Sequence, residues 1–139
     1  MFELHPQLAK DTAPLGRFTL CRLLLMNDSR YPWFVLVPER NNIREIHELN
    51  DADRQLLWDE SAQLSRALTE LYKPDKLNIA ALGNQVPQLH VHHIVRYTHD
   101  PVWPAPVWDK RPPKPYYSAE LSKLKNLLIN TMHNTLRPI

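Results

Sequence analysis

Residues 17–38 read RFTLCRLLLMNDSRYPWFVLVP, and this stretch decides the fold class. Two runs, 17–26 and 33–38, are rich in aliphatic and β-branched residues with partial alternation, the signature of strands. Between them lie Asn27, Asp28, Ser29 and Arg30, a polar connection of hairpin length, so the two strands should pair antiparallel. Pro32 suits the opening of the second strand, and Pro38 with the following ERNN closes it.

Outward from this hairpin the pattern changes period. Residues 51–72 carry Leu56, Leu57, Leu64, Ala67, Leu68 and Leu71, mostly at three- and four-residue steps, and predict an amphipathic helix of about six turns. Asn50 or Asp51 serves as its N-cap, with acids suited to the positive end of the helix dipole, and Lys73-Pro74-Asp75 stops it. Two further strands are expected, LNIAAL at 77–82 and QLHVHHIV at 88–95, joined by Gly83-Asn84-Gln85-Val86-Pro87. Residues 99–117 contain six prolines and predict an extended arm, which Trp103 and Trp108 should dock. A second helix is expected from Ser118 to about residue 134, carrying Leu121, Leu124, Leu127 and Leu128. The sum is an α+β domain with a mostly antiparallel sheet.

The chain's 139 residues are the length of one domain, with enough surface to bury a core. Its two glycines exclude any Gly-rich phosphate loop of the Walker or dinucleotide type. A net charge of +2 is too mild for specific nucleic-acid binding. The charge is uneven: residues 39–75 hold nine acids and five bases, while 109–139 hold two acids and six bases, Lys110 and Arg111 among them. A solvated surface is the ordinary meaning of such a run. Cys21 is alone and cannot pair internally, and no apolar run approaches a membrane span or a secretory leader. A soluble, cytoplasmic protein is expected.

The densest chemistry lies at His90-Val91-His92-His93. On a strand, Gln88, His90 and His92 share one face, with Leu89, Val91 and His93 on the other. A metal site would need further ligands, and the remaining histidines are scattered without ligand spacing. No serine nucleophile motif is present. Imidazole acting directly on phosphorus is left, since its ordinary pKa of about 6.5 keeps much of it neutral and nucleophilic.

Pro87-Gln88-Leu89-His90-Val91-His92-His93-Ile94 resembles the signature strand of the histidine triad (HIT) family. The resemblance covers about residues 15–97. It includes Leu25-Met26-Asn27 and Pro32–Pro38 as paired strands beside a nucleotide pocket, the helix 51–72, and Gly83-Asn84-Gln85-Val86 as the phosphate loop. It implies a five-stranded sheet, a homodimer and a hydrolase cleaving nucleoside phosphate anhydrides, esters or phosphoramidates through a nucleotidyl-histidine. No cofactor is implied, beyond a divalent metal that enters with the substrate. By position His90 is the nucleophile and His92 the third histidine of the triad, while Gln88 stands where the first is usual. Asn27 matches a ribose contact, Asn84 a phosphate contact, and Gln85 replaces the usual Ser or Thr. Leu25 is a candidate for the base pocket. With Gln at 88 and 85, a nucleotide-binding module with weak or lost turnover is the competing reading. His93 should be structural, and the arm is the place to look for specificity.

Overall fold

The computed structural model describes residues 1–108 and 111–139. Its strands are β1 (Thr12–Arg17), β2 (Cys21–Met26), β3 (Trp33–Pro38), β4 (Lys76–Ala80) and β5 (Val91–Arg96). They form one sheet in the order β1-β2-β3-β5-β4, with every neighbouring pair antiparallel. Three helices accompany it, α1 (Pro6–Asp11), α2 (Asp51–Tyr72) and α3 (Ser118–Thr131), with a 3₁₀ turn at Ile46–Glu48. None of the helices among the described residues is long and apolar enough to cross a membrane.

The hairpin β2–β3 and helix α2 stand where the sequence puts them. Asn50 caps α2 by accepting from the Asp53 N–H at 2.8 Å. Lys73 ends it in the left-handed region (φ 48°), its N–H donating to the Thr69 carbonyl. Pro74 cannot continue a helix. Leu57, Leu64, Ala67 and Leu68 are buried against the sheet.

Elsewhere the structure departs from expectation for identifiable reasons. The run 17–26 is not one strand, because the Phe18 N–H bonds the Cys21 carbonyl at 2.8 Å and turns the chain. The preceding residues form β1 although Pro14 and Gly16 read as breakers. At a sheet edge a missing N–H is tolerated, and the register shifts between those two residues. Gly16 is required by a close approach, since a Cβ there would lie 2.8 Å from the Arg137 carbonyl oxygen. Arg17 and Arg137 exchange backbone hydrogen bonds of 2.8 and 2.9 Å, so the C-terminal residues cover this edge. The short α1 was not legible in advance; the His5 side chain caps it and Pro6 opens it.

β4 ends at Ala80 and β5 begins only at Val91, so Gln88, Leu89 and His90 precede the strand expected over 88–95. The Leu89 N–H bonds the Ile43 carbonyl at 2.9 Å instead of a strand neighbour. The last helix stops at Thr131. The arm is not simply extended. Its first part folds around the Asp100 carboxylate, which accepts from the Tyr97, Val102 and Trp103 N–H groups and from the buried Arg96 guanidinium. Val107 is buried, so the arm is docked as expected, while Asp109 and Lys110 lie outside the described residues.

The two sheet faces have separate cores. On one, Leu23, Leu25, Phe34, Leu36, Val91 and Val95 pack against α2. On the other, Leu24, Trp33, Val35, Val37 and Ile94 pack with Leu8, Tyr31 and Val107, flanked by Phe2, Leu4, Met26 and Val86.

Candidate active site

The pleat of β5 sorts its histidines. In the pairing with β3, His92 lies opposite Val35 and His93 opposite Phe34, so they occupy opposite faces. His90 and His92 sit together, ring centroids 4.9 Å apart and nearly perpendicular. Both are buried, at 6% and 4% exposure.

Each ring has one nitrogen committed. His90 Nδ1 is 2.7 Å from the Gln88 carbonyl oxygen, which can only accept, so Nδ1 carries the proton and Nε2 keeps its lone pair. Burial pulls the His90 pKa below its ordinary value, outweighing the raising effect of that hydrogen bond. His92 Nδ1 accepts from the indole N–H of Trp33 at 2.9 Å. Burial, and then the neighbouring His90 and His93, push the His92 pKa down to about 3. Trp108, from the arm, stands edge-on to both Trp33 (5.6 Å) and His92 (5.1 Å).

His90 opens on a small cleft of about 170 Å³. Asn84, Gly83, Gln88 and Arg44 line it too, so the structure brings Asn84 and His90 together. Gln85, exposed on the same loop, lies outside that lining. Gln88 accepts from the His5 N–H (2.8 Å) and donates to the Glu3 carbonyl (2.9 Å), clamping the N-terminal segment. Asn27 is at the end of β2, where its carboxamide oxygen accepts from the Tyr116 N–H at 2.9 Å. A broader depression of about 690 Å³ beside the end of α2, lined by Ser65, Arg66, Thr69, Glu70, Lys73 and Pro74, holds none of these residues.

Leu25 is a correction. It pairs with Phe34 on the face opposite His92 and is fully buried in the α2 core, so it cannot wall a pocket on the histidine side. The apolar residues on that side include Leu24, Met26 and Val86. His93 is held as a core residue, with Nε2 at 2.7 Å from the Ser61 hydroxyl and Nδ1 at 3.2 Å from the Val91 carbonyl. Among the described residues no three His, Cys, Asp or Glu side chains converge as metal ligands.

Sequence reading missed Trp33, Trp108 and Arg44. For Trp33 a signal existed: alternation along β3 places it on the face of Val35, but its contact with His92 spans 59 residues. Arg44 had no local signal, because its segment comes alongside 88–90 only in the fold, where the Leu89 N–H bonds the Ile43 carbonyl.

This sheet order, with a long helix behind and paired imidazoles in front, is that of the histidine triad proteins, a class of nucleotide-binding hydrolases and transferases. The chain belongs to the HIT family: the HIT domain model matches residues 7–99. It is similar to a histidine triad protein from Marinobacter aquaeolei VT8, at 51% identity over 97% of this chain and 98% of that one, with a TM-score of 0.93. The histidine triad protein of Bradyrhizobium japonicum is 43% identical over 94% and 98% of the two chains, with a TM-score of 0.91. That of Sinorhizobium meliloti 1021 is 39% identical over 95% and 98%, with a TM-score of 0.92. None of the curated proteins matches the chain.

Proposed function

We propose that the protein is a hydrolase of nucleoside phosphate anhydrides, esters or phosphoramidates, and that His90 carries the nucleotidyl group. The observation that carries this reading is the 2.7 Å contact of His90 Nδ1 with the Gln88 carbonyl, which leaves the Nε2 lone pair for attack. In the first step Nε2 bonds the α-phosphorus as the bond to the leaving group breaks. The ring then bears positive charge, which the carbonyl at Nδ1–H stabilises. In the second step water adds to phosphorus, the P–N bond breaks, and the nucleoside monophosphate leaves with His90 restored. Throughout, the His92 N–H donates a hydrogen bond to a phosphoryl oxygen, a form of charge stabilisation that strengthens away from bulk water.

Asn84 contacts the phosphate from the cleft, and Asn27 meets the ribose through its amide nitrogen. Gln88, in the place of a first triad histidine, anchors the N-terminus and carries no charge. That clamp favours a second reading, a nucleotide binder with little turnover. The reaction calls for no cofactor of the protein's own, and any divalent cation would arrive with the substrate's phosphates. A homodimer is also proposed. Among the described residues β4 is an open sheet edge, with Ile79 at 46% and, on α2, Trp58 at 50% exposure. Exposed strand edges and apolar patches are sites of pairing. A monomer in sedimentation at micromolar concentration would remove the dimer and leave the chemistry standing. Buried, unpaired Cys21 suits a cytoplasmic setting.

The test is multiple turnover with a nucleoside phosphoramidate and a dinucleoside polyphosphate, followed by a quench with labelled α-phosphate. Label on His90, stable in alkali and lost in acid, is expected. Binding without turnover would select the second reading, and label on another residue would overturn the nucleophile.

A further inference from the structure

The hydrogen bond between Trp33 and His92 reaches beyond packing. Trp33 is 6% exposed on β3, and its register partner is Ile94, which places it diagonally across from His92 on one face. A core position of this kind needs only a large apolar ring, and Phe would supply one. Tryptophan adds a single polar atom, the indole N–H, which is a donor and nothing else. That atom lies 2.9 Å from His92 Nδ1.

We infer that Trp33 is a positioning residue that fixes the proton of neutral His92 on Nε2, so that the ring presents a donor to the substrate. The opposite tautomer would set two N–H groups against each other at Nδ1. It would also turn a bare lone pair toward an anionic phosphoryl oxygen. The imidazolium is no escape, because burial and then the neighbouring His90 and His93 disfavour its charge, and its Nδ1–H would confront the indole N–H. Trp108 lies across both rings from the arm, so the pair is held on its outer side as well. The start of β5 and the residue before it therefore set side by side two neutral imidazoles of opposite presentation. His90 offers a lone pair from Nε2 because a carbonyl acceptor holds its other nitrogen. His92 offers a proton because an indole donor holds its other nitrogen. An attacking atom and a stabilising donor are set side by side with no charge on either ring.

The catalytic consequence rests on the function proposed above, but the tautomer does not. The primary readout is the ¹⁵N spectrum of the histidine rings in the wild-type protein at neutral pH, with His92 assigned by its loss in His92→Gln. A single tautomer protonated at Nε2 is expected. A His92 protonated at Nδ1, or exchanging between both forms, would overturn the inference whatever the enzyme does. Trp33→Phe keeps the ring and removes the donor. It should release the His92 tautomer and lower kcat by about three- to tenfold, the worth of one hydrogen bond, with KM changed less. Trp33→His, able to donate again, should recover part of that loss. A Trp33→Phe protein with unchanged His92 resonances and unchanged kcat would sink the proposal. An inactive wild type with the Nε2 tautomer would sink the proposed function and leave the Trp33 assignment intact.

Discussion

His92 and His93 are neighbours in the chain, and they resemble one another by most measures. Both are buried, and both have pKa values far below 6.5, about 3 and about 4 respectively. What separates them is how many ring nitrogens the fold uses. His93, facing α2, has both taken, one by Ser61 and one by the Val91 carbonyl. His92, facing the arm, has one taken by Trp33 and none of the described residues hydrogen-bonded to the other. A buried histidine with a depressed pKa is therefore not by itself a reagent; a reagent needs an uncommitted nitrogen.

The comparison can be broken by substitution. The largest effect belongs to His90. His90→Ala should lower kcat by four orders of magnitude or more, on the scale of other lost nucleophiles, with the fold retained by circular dichroism. Turnover within tenfold of wild type would refute the assignment. His92→Ala should cost about 10²-fold in kcat, less than His90→Ala, because it removes a stabilising donor and not the bond-forming atom. His93→Ala should act on the other ledger. It opens a cavity and strands the Ser61 hydroxyl, costing about 2–4 kcal/mol of stability in denaturant titration while kcat of the folded fraction stays within threefold. A catalytic defect at unchanged stability would erase the distinction drawn between the two faces.

Acid should sharpen it. Both histidines bind protons less readily folded than unfolded, so their contribution to stability is complete above pH 6.5. It drains away as pH falls toward about 4 for His93 and about 3 for His92. The slope is about 1.4 kcal/mol per pH unit for each group inside that window. Denaturant midpoints that stay flat from pH 7 to pH 5 would contradict both shifts. The smallest expected effect is at Asn27. Asn27→Ala should weaken nucleotide binding about three- to tenfold, measured as the dissociation constant for AMP or GMP. No change would return Asn27 to the role of arm anchor.

What was legible in the sequence divides along physical lines. Helix α2 was readable to its ends because its cap, its periodicity and its terminator are all local. Strand β1 was not, because Pro14 and Gly16 forbid a central strand while an edge strand accepts them. Leu23, Leu24 and Leu25 show why faces are harder than elements. Three consecutive leucines carry no alternation, so nothing in the chain says which one faces the histidines, and the register with β3 decides it. Within the site, the histidines announced themselves by their spacing. Their partners did not: Trp33 meets His92 only through the folded sheet, and the Gln88 carbonyl is a backbone atom that no side-chain pattern marks.

The carboxamide of Asn27 joins two parts of the chain 89 residues apart. Around it Ser29 N–H bonds the Lys114 carbonyl at 2.6 Å, and Lys114 N–H reaches the Asp28 carboxylate at 3.3 Å, so the hairpin turn and the arm are stitched together. A ribose that engages Asn27 meets a side chain whose oxygen already belongs to the arm. Were nucleotide bound there as proposed, occupancy and docking would be linked quantities: whatever factor the nucleotide added to arm docking, a docked arm would return to nucleotide affinity. With a ribose on Asn27 as proposed, the hairpin would be the junction between the proline-rich segment and the ligand.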